Sequence, residues 1–500
     1  MNIRRLRFSQ ILAKLARSKL ETYGIRSSSS RDSLARKPAT VIPVDPRSAK
    51  LPSRPKKLSC KYSMVVPCYN VSGYIDSLFY SIFSQAADPE NIEVIAVDDG
   101  STDETKQCIK YWSDRFPGTI RYIFQNNQRQ SVARNKGLDA AAGEWVSFPD
   151  ADDFISPDYV ERVDAHIASR SPGSLSMVSC NFIYYREREG RSVDSHSLRY
   201  RFGADATMSA ADLGTYIQLT ANSVWFRRDL LEATSLRFDP RVVPTFEDAH
   251  FCNRFLLRNP NTHVSFLRDP IYYYRKRRDH SSTLDNAKLD IAWYSDVLRY
   301  GHLDLLREAK QLRGEPPRYI QRTILYDLFW RFRYLVDHPE RNIMSKNQES
   351  EFLDLMVRVL SDIDETTIDT FDLARCREED KFGIRALLTK RNIVSSSMHA
   401  VDINESQNLI NLCFLSSDSD CNATVLVDGA VAKCEGSLSR KSTFCSRPFY
   451  YEHSFWVEAI EHQVLTGRLQ GEICRFTVKG TDFGVGPRAA SLYRALKGNA

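Results

Sequence analysis

Several features that would define a common protein class are missing from this sequence. No stretch reaches about 18 consecutive apolar residues, so we expect no membrane-spanning helix. Neither a P-loop nor a GxGxxG fingerprint occurs, so no glycine-rich loop is expected to cradle a phosphate. The 11 cysteines contain no CxxC pair and give no zinc signal, although five of them between Cys413 and Cys474 leave a disulfide-bonded module open. No nucleic-acid reader motif is present, so we expect no nucleic-acid partner.

Positive charge is concentrated at the N-terminus. The formal net charge is +6, but residues 1–57 carry +12, which leaves −6 for the remainder. Residues 1–25 predict a basic amphipathic helix that can lie on an anionic membrane surface, and a disordered leader explains them equally well. Residues 26–59, rich in serine and proline, predict a flexible linker. The sequence therefore predicts a cytoplasmic protein and leaves peripheral contact with the inner face of the cell membrane open.

Short apolar segments alternate with helical segments in the next part of the chain. The periodicity of this region predicts a doubly wound α/β sheet, which binds ligands at the carboxyl ends of its strands. The four apolar segments are 62–67, 92–97, 120–124 and 144–148. Polar clusters follow three of them, so we expect one crevice to collect these clusters. We also expect Ser101 and Glu104 to form a capping box for the helix that follows the second strand.

The most informative cluster is Asp150, Asp152 and Asp153, directly after the fourth apolar segment. Carboxylates crowded this closely repel one another, so they are typical of a site where a cation neutralises them. An Asp-x-Asp pair at a strand end suits a divalent ion that also holds a diphosphate. The alternative, a helix start, explains the following Ser156-Pro157 but not the acidic triplet.

Six motifs occur in order: VVPCYN, VDDGSTDET, SVARNKGL, FPDADD, FEDAHF and YYYRKRRDHSST. In this order and spacing they resemble the inverting family-2 glycosyltransferases of the GT-A fold, over about residues 61–285. The resemblance implies a nucleotide-sugar donor, commonly UDP-linked, and Mn²⁺ or Mg²⁺ as cofactor. Asp152 would be the direct metal ligand, and Asp150 would contact the ribose or a metal-bound water. Asp248 would be the catalytic base, with Glu247 orienting the acceptor or the base.

The same resemblance implies a set of donor-binding residues. Tyr69 would pack on the base, Asp99 would accept a hydrogen bond from its ring N–H, and Arg134 would stabilise the nucleotide. The full set of expected substrate-binding residues is Pro67, Tyr69, Asn70, Asp99, Arg134, Asp150, Arg275, Arg278, Ser281 and Ser282.

Each motif also has a purely structural interpretation. Tyr69-Asn70 and Asp98-Asp99-Gly100 fit ordinary turns at strand ends. Acidic residues such as Glu247 and Asp248 are favoured at a helix N-terminus by its dipole. The basic run around Arg275 and Arg278 fits a solvated loop after an edge strand.

The second half of the chain has a different pattern of apolar residues from the first half. Residues 286–390 carry helical stripes, and residues 391–500 carry short strand-like segments that predict a small β-sandwich-like domain. The expected organisation is thus a GT-A domain over residues 60–285, then a helical domain, then a β-rich accessory domain. The sequence leaves two roles open for the last domain. It could bind the acceptor, or it could associate with a second copy of the chain to form a homo-oligomer.

Together these features predict an inverting, metal-dependent hexosyl- or N-acetylhexosaminyl-transferase. Its acceptor would be a hydroxyl of a cell-surface polysaccharide, capsular polymer, teichoic-acid-like polymer or lipid-linked precursor. Two alternatives are a catalytically inactive sugar-binding scaffold and a nucleotidyltransferase of related fold. The glycine-rich loop of a nucleotidyltransferase is absent, and both Asp152 and Asp248 are present, which disfavours a dead scaffold.

Overall fold

The computed structural model describes residues 47, 60–85, 91–278, 286–389 and 391–497. The predicted N-terminal helix, the linker apart from Arg47, and the expected site residues Ser281 and Ser282 lie outside the described residues. Within the described ranges, no helix combines the length and apolar character needed to cross a bilayer.

A mixed sheet forms the first half of the described chain, which confirms the predicted α/β fold class. Its strand order is β3-β2-β1-β4-β9-β6-β10-β5, with β7 on β6 and β8 on β10. Strands β3, β2, β1 and β4 are parallel, and β9 runs antiparallel to β4. The strands are β1 Tyr62–Cys68, β2 Ile92–Asp98, β3 Ile120–Phe124, β4 Trp145–Ser147, β5 Phe154–Ile155, β6 Leu175–Arg186, β7 Arg191–Val193, β8 Ala206–Ser209, β9 Val224–Arg227 and β10 His263–Lys276.

Helices cover both faces of this sheet because its central strands are apolar on both sides. In β1, Val65 points into one core cluster, whereas Met64 and Val66 point into another. The helices are α1 Ile75–Phe83, α2 Thr105–Arg115, α3 Arg129–Ala140, α4 Tyr159–Ala168, α5 Arg228–Ala233 and α6 Glu247–Arg258. Helices α1 and α2 bury residues in the second cluster, and α6 buries residues in the first.

A helical segment follows, as its apolar stripes predicted. Two 3₁₀ turns, Ala287–Leu289 and Ile291–Trp293, come first, and a π-helical turn follows at Val297–His302. Its α-helices are α7 Leu303–Arg313, α8 Arg318–Leu335, α9 Lys346–Leu360, α10 Glu365–Asp369 and α11 Glu378–Leu388. The apolar residues of this segment belong to the same core cluster as α6, so the segment packs as an extension of the first sheet's core.

A second, β-rich region completes the described chain, as predicted. Its strands form a sheet of order β14-β13-β17-β18-β11-β12-β16-β15, with β19 on β18. Helix α12, Ala489–Lys497, buries Leu492 in the core of this sheet. The strands are β11 Ser397–Asn404, β12 Leu409–Ser416, β13 Ala423–Val427, β14 Ala430–Val431, β15 Cys434–Phe444, β16 Arg447–Glu458, β17 Leu465–Leu469, β18 Glu472–Val478 and β19 Thr481–Gly484.

Two local expectations are decided by the structure. The capping box on α2 is wrong: the helix begins at Thr105, and the Asp103 carboxylate accepts from the Thr105 amide at 3.0 Å. Ser101 instead accepts a hydrogen bond from the Asn70 amide at 3.1 Å, because β1 brings Asn70 alongside it.

The cysteines are all free, so the C-terminal sheet holds no disulfide.

Candidate active site

The polar clusters converge because β1 and β2 are parallel and in register. Cys68 at the end of β1 pairs with Asp98 at the end of β2, and the Asp99 amide donates to the Cys68 carbonyl at 2.8 Å. The residues that follow each strand therefore reach the same edge of the sheet.

Asn70 ties the first two clusters together. Its backbone has a left-handed φ of 52°, a conformation that asparagine tolerates better than most residues. Its side-chain Oδ1 accepts a hydrogen bond from the Thr102 amide at 2.8 Å. The neighbouring Tyr69 is 51% exposed, so one face of its ring is open to a ligand. Pro67 lies within β1, opposite Val97.

Asp99 is held in one orientation by two donors. Its Oδ1 accepts from Gln125 Nε2 at 2.7 Å and from the Gln128 amide at 2.8 Å. Within the described part of the chain, Oδ2 receives no hydrogen bond, so this oxygen can accept one from a ligand. The side chain is buried, which strengthens a hydrogen bond made there.

Arg134 lies at the centre of the site. Helix α3 packs tightly on β1, since a Cβ at Gly137 would come within 2.2 Å of Val65 Cγ1. Arg134, one turn earlier, is only 1% exposed. Its Nη2 donates to Asp150 Oδ1 at 2.9 Å, and its Nη1 donates to Asp248 Oδ1 at 2.5 Å. One buried guanidinium therefore joins the carboxylate after β4 to the carboxylate at the start of α6.

Asp150 is fixed by a dense set of donors. Gln130 Nε2 donates to its Oδ1 at 2.9 Å, and Asn222 Nδ2 donates to its Oδ2 at 3.1 Å. Its own amide donates to the Tyr272 hydroxyl at 2.9 Å. Gln130 and Asn222 were not predicted as site residues, because neither belongs to a motif of distinctive composition.

The other two carboxylates of the triplet differ in their partners. Asp152 Oδ2 pairs with Arg277 Nε at 2.7 Å, whereas Asp153 Oδ1 accepts from the Arg275 amide at 2.7 Å. Burial raises the pKa of Asp152, against the lowering effect of Arg277. Burial and the charges of Asp152 and Asp150 raise the pKa of Asp153 well above its usual range. Burial and mutual repulsion therefore disfavour the charged forms of these two carboxylates.

The donor set of the triplet fits a hard divalent cation. Its ligand atoms are carboxylate oxygens, which Mg²⁺ and Mn²⁺ prefer. Among the described residues, no group of three His, Cys, Asp or Glu side chains is arranged as a complete metal site.

Glu247 and Asp248 form the first turn of α6. Asp248 Oδ2 accepts from the Ala221 amide at 2.9 Å, so both of its oxygens are oriented while retaining free lone pairs. Burial raises its pKa, against the lowering effect of Arg134. Burial and then the charge of Asp248 raise the pKa of Glu247 to about 8. The raised pKa favours the protonated form of Glu247, which can donate a hydrogen bond.

The basic segment at the end of β10 divides into buried and exposed residues. Arg275 is almost buried, donates to the Asp152 carbonyl at 2.6 Å, and stacks on Phe154. Arg278 is exposed, and its amide donates to Glu187 at 3.0 Å. Arg277, which was not predicted, contacts Asp152 directly; its place just beyond the end of β10 is the signal that could have found it.

These observations define the class of protein. A GT-A-type α/β sheet carries, at one edge, an oriented carboxylate, an exposed tyrosine, a carboxylate cluster suited to a cation and a partly buried acid pair. Residues 63–233 match the family described as Glycosyl transferase family 2, so the chain carries a glycosyltransferase domain of this family.

The chain is also similar to several named proteins, and the aligned regions are longer than the family match. The chain is 28% identical over 313 residues to the minor teichoic acid biosynthesis protein GgaB of Bacillus subtilis, which covers 63% of this chain and 33% of GgaB. It is 26% identical over 329 residues to GgaA of the same organism, covering 65% of this chain and 71% of GgaA.

Staphylococcus aureus TarS, a poly(ribitol-phosphate) beta-N-acetylglucosaminyltransferase, is 28% identical over 246 residues, or 49% of this chain and 40% of TarS. The chain thus spans only part of each of these relatives. A crystal structure of TarS 1–349 with UDP-GlcNAc aligns with 65% of this chain and 87% of that chain, at 20% identity and a TM-score of 0.49.

Proposed function

We propose that this protein is an inverting, metal-dependent glycosyltransferase that moves a sugar from a UDP-sugar to a hydroxyl of a teichoic-acid-like polymer. The family match supports the transferase chemistry, and the names of GgaB, GgaA and TarS support the acceptor class. The sugar would be a hexose or an N-acetylhexosamine.

The observation that carries the proposal is the position of Arg134 between Asp150 and Asp248. A transferase must hold the donor diphosphate and the attacking hydroxyl on opposite sides of one anomeric carbon. A single buried cation that contacts carboxylates of both sides fixes their separation, and fixed geometry is a large part of catalysis.

In this proposal the nucleoside binds at the ends of β1 and β2. Tyr69 would stack on the base with its exposed face, and Asp99 Oδ2 would accept from the ring N–H. Asn70 and Pro67 would shape the turn beneath. Gln125 and Gln128 keep Asp99 from rotating, so little ordering is needed when the donor binds.

Asp152 and Asp150 would hold Mn²⁺ or Mg²⁺. When bound, the ion supplies positive charge that neutralises the diphosphate as it leaves. Arg277, Arg278 and the basic run around them would contribute further positive charge beside Asp152.

Asp248 would remove the proton of the acceptor hydroxyl as that oxygen attacks. A partly buried carboxylate with a raised pKa is a better base near neutral pH than an exposed one. Glu247, whose raised pKa favours the protonated form, would donate a hydrogen bond that orients the acceptor. Attack from the side opposite the leaving group inverts the anomeric configuration.

Three further assignments accompany this proposal. The division into a GT-A domain (60–285), a helical domain (286–390) and a β-rich domain (391–500) is proposed as the functional organisation. The β-rich domain would bind the polymer or a second copy of the chain. The basic N-terminus would provide reversible contact with an anionic membrane.

The test is a donor screen with poly(ribitol phosphate) and poly(glycerol phosphate) as acceptors, with and without Mn²⁺. We expect UDP release that depends on both acceptor and metal, and NMR of the product should show an anomeric configuration opposite to that of the donor. Metal-independent release, or retention of configuration, would contradict the proposal.

A further inference from the structure

Phe246, the residue directly before the acid pair, has an unfavourable backbone conformation. Its φ of 77° is left-handed, which a bulky L residue rarely adopts. Its carbonyl accepts from the His250 amide at 2.8 Å, the first hydrogen bond of α6. The conformation of Phe246 therefore sets the direction in which Glu247 and Asp248 leave the loop. Such a conformation persists only when its surroundings enforce it.

Two consecutive residues of the helical segment enclose the Phe246 ring. His302 packs edge-on against it, with ring centroids 4.5 Å apart at 84°. Gly301 lies so close that a Cβ there would come within 2.9 Å of Phe246 Cδ1. Both residues belong to the π-helical turn Val297–His302, a rare geometry that is frequent at functional sites. Only glycine leaves room for the ring at position 301.

Buried polar contacts hold the π-helical turn in place. His302 is fully buried, and its Nε2 lies 3.0 Å from Asp327 Oδ2, which also pairs with the buried Arg331. Arg241, which lies in the loop between α5 and α6, is over the Tyr300 ring at 4.7 Å. The turn therefore contacts this loop at Arg241 as well as at Phe246.

The helix that follows the turn holds the far end of α6. Glu308 on α7 pairs with Arg254 at 2.5 Å and with Arg258 at 2.6 Å. These partly buried ion pairs fix the C-terminal half of α6 against α7. With Phe246 held at the N-terminus, α6 is braced at both ends by residues 300–308.

From this arrangement we infer that Gly301 and His302 are positioning residues for the acid pair Glu247–Asp248, acting through Phe246. Neither residue touches the donor or the acceptor, and this role rests on the proposed function. The helical segment then does more than extend the core: it sets where the proposed base lies relative to the anomeric carbon. Small displacements of a catalytic group lower turnover strongly, whereas donor binding depends on other elements.

The first test is Gly301→Ala, with Gly203→Ala as the matched control. A Cβ at Gly203 meets only the Tyr200 carbonyl at 3.7 Å, an ordinary contact, so the control adds the same methyl group without a clash. For Gly301→Ala we expect a fall in kcat of about 10–100-fold, with the donor dissociation constant changed less than about threefold. Hydrogen exchange of the peptide spanning residues 245–258 should become faster in Gly301→Ala and stay unchanged in the control.

The second test uses His302, in case Gly301→Ala does not fold. His302→Ala should lower kcat and speed the same exchange, and His302→Phe should restore most of both, because phenylalanine keeps the ring contact with Phe246. A His302→Phe variant no better than His302→Ala would overturn the assignment.

The exchange measurement separates this inference from the proposed function, because it needs no turnover. If the wild-type chain transfers no sugar, the proposed function fails and the exchange comparison alone decides the inference. If the wild type is active and Gly301→Ala matches Gly203→Ala in kcat and in exchange, the positioning role is overturned.

Discussion

The two sides of the proposed active site are built differently. On the donor side, Asn70 and Asp99 are held by residues of the next loops: Ser101, Thr102, Gln125 and Gln128. On the acceptor side, Glu247 and Asp248 depend on residues far along the chain, namely Arg134 from α3 and, in our inference, Gly301 and His302.

This difference coincides with the extent of the family match. The match covers residues 63–233 and so includes Asn70, Asp99 and the residues that hold them, whereas the acid pair lies beyond it. The donor-binding residues are held by nearby loops, so they can stay in place when the segment packed against α6 changes. The position of the acid pair would then change with that segment. The comparison therefore predicts that substitutions on the two sides affect different steps.

The largest effect is expected from Asp152→Ala, which tests whether the donor side needs its cation. Removing a metal ligand should abolish transfer and metal-dependent donor binding, while the fold survives because one repulsive charge has been removed. Isothermal titration of donor with and without Mn²⁺ measures this. Unchanged turnover that still requires metal would refute Asp152 as the ligand.

Asp248→Asn should break the acceptor side alone. Asparagine keeps the size of the side chain but cannot take the proton, so transfer should fall by about 10²–10⁴-fold. Donor affinity should hold, because an amide oxygen can still accept the hydrogen bond from Arg134, and the base and metal contacts lie on other elements. If donor binding collapses instead while the bound enzyme still turns over, Asp248 belongs to the donor site.

Asp99→Asn should weaken the donor side alone. An amide cannot accept from the base N–H with the strength of a buried carboxylate, so the donor dissociation constant should rise by about 10–100-fold. Titration with UDP measures the effect without any acceptor. Thr102→Ala is the control, because it keeps the 2.8 Å bond from the Thr102 amide to Asn70 and removes only the longer hydroxyl bond at 3.3 Å, so the donor dissociation constant should change much less than in Asp99→Asn.

The smallest effect is expected from Glu247→Gln, which mimics the protonated form of Glu247. The pKa of Glu247 in the folded protein is raised to about 8, so the folded state retains a proton that the unfolded state loses at lower pH. The free energy of unfolding of the wild type should therefore fall as pH rises from about 5 through 8. Glutamine has no proton to lose at this position.

Urea denaturation at pH 5 and pH 9 compares the two proteins. Glu247→Gln should gain about 1–3 kcal/mol over the wild type at pH 9 relative to pH 5. Transfer at neutral pH should change little. Parallel pH profiles for the two proteins would show that Glu247 is ionised in the fold.

The sequence predicted the parts of this molecule that depend on local pattern. Strand β3 begins and ends where the apolar segment 120–124 does, and the three polar clusters meet because parallel strands end at one edge. Long-range contacts account for what was missed. The capping box failed because Asn70 competes for Ser101, and the buried bridge of Arg134 required α6, which begins more than 100 residues later. Nothing in the residues around Gly301 predicts that a phenylalanine of another segment packs on it.

The division into two sides is tested most directly by one crossed measurement. The donor dissociation constant and the transfer rate at saturating donor are determined in the same preparations of Asp99→Asn and Asp248→Asn. We expect Asp99→Asn to raise the dissociation constant and leave the saturated rate within a few-fold, and Asp248→Asn to do the reverse. If both variants lose affinity and rate together, the donor and acceptor sides are not separable and the proposed division of the active site is contradicted.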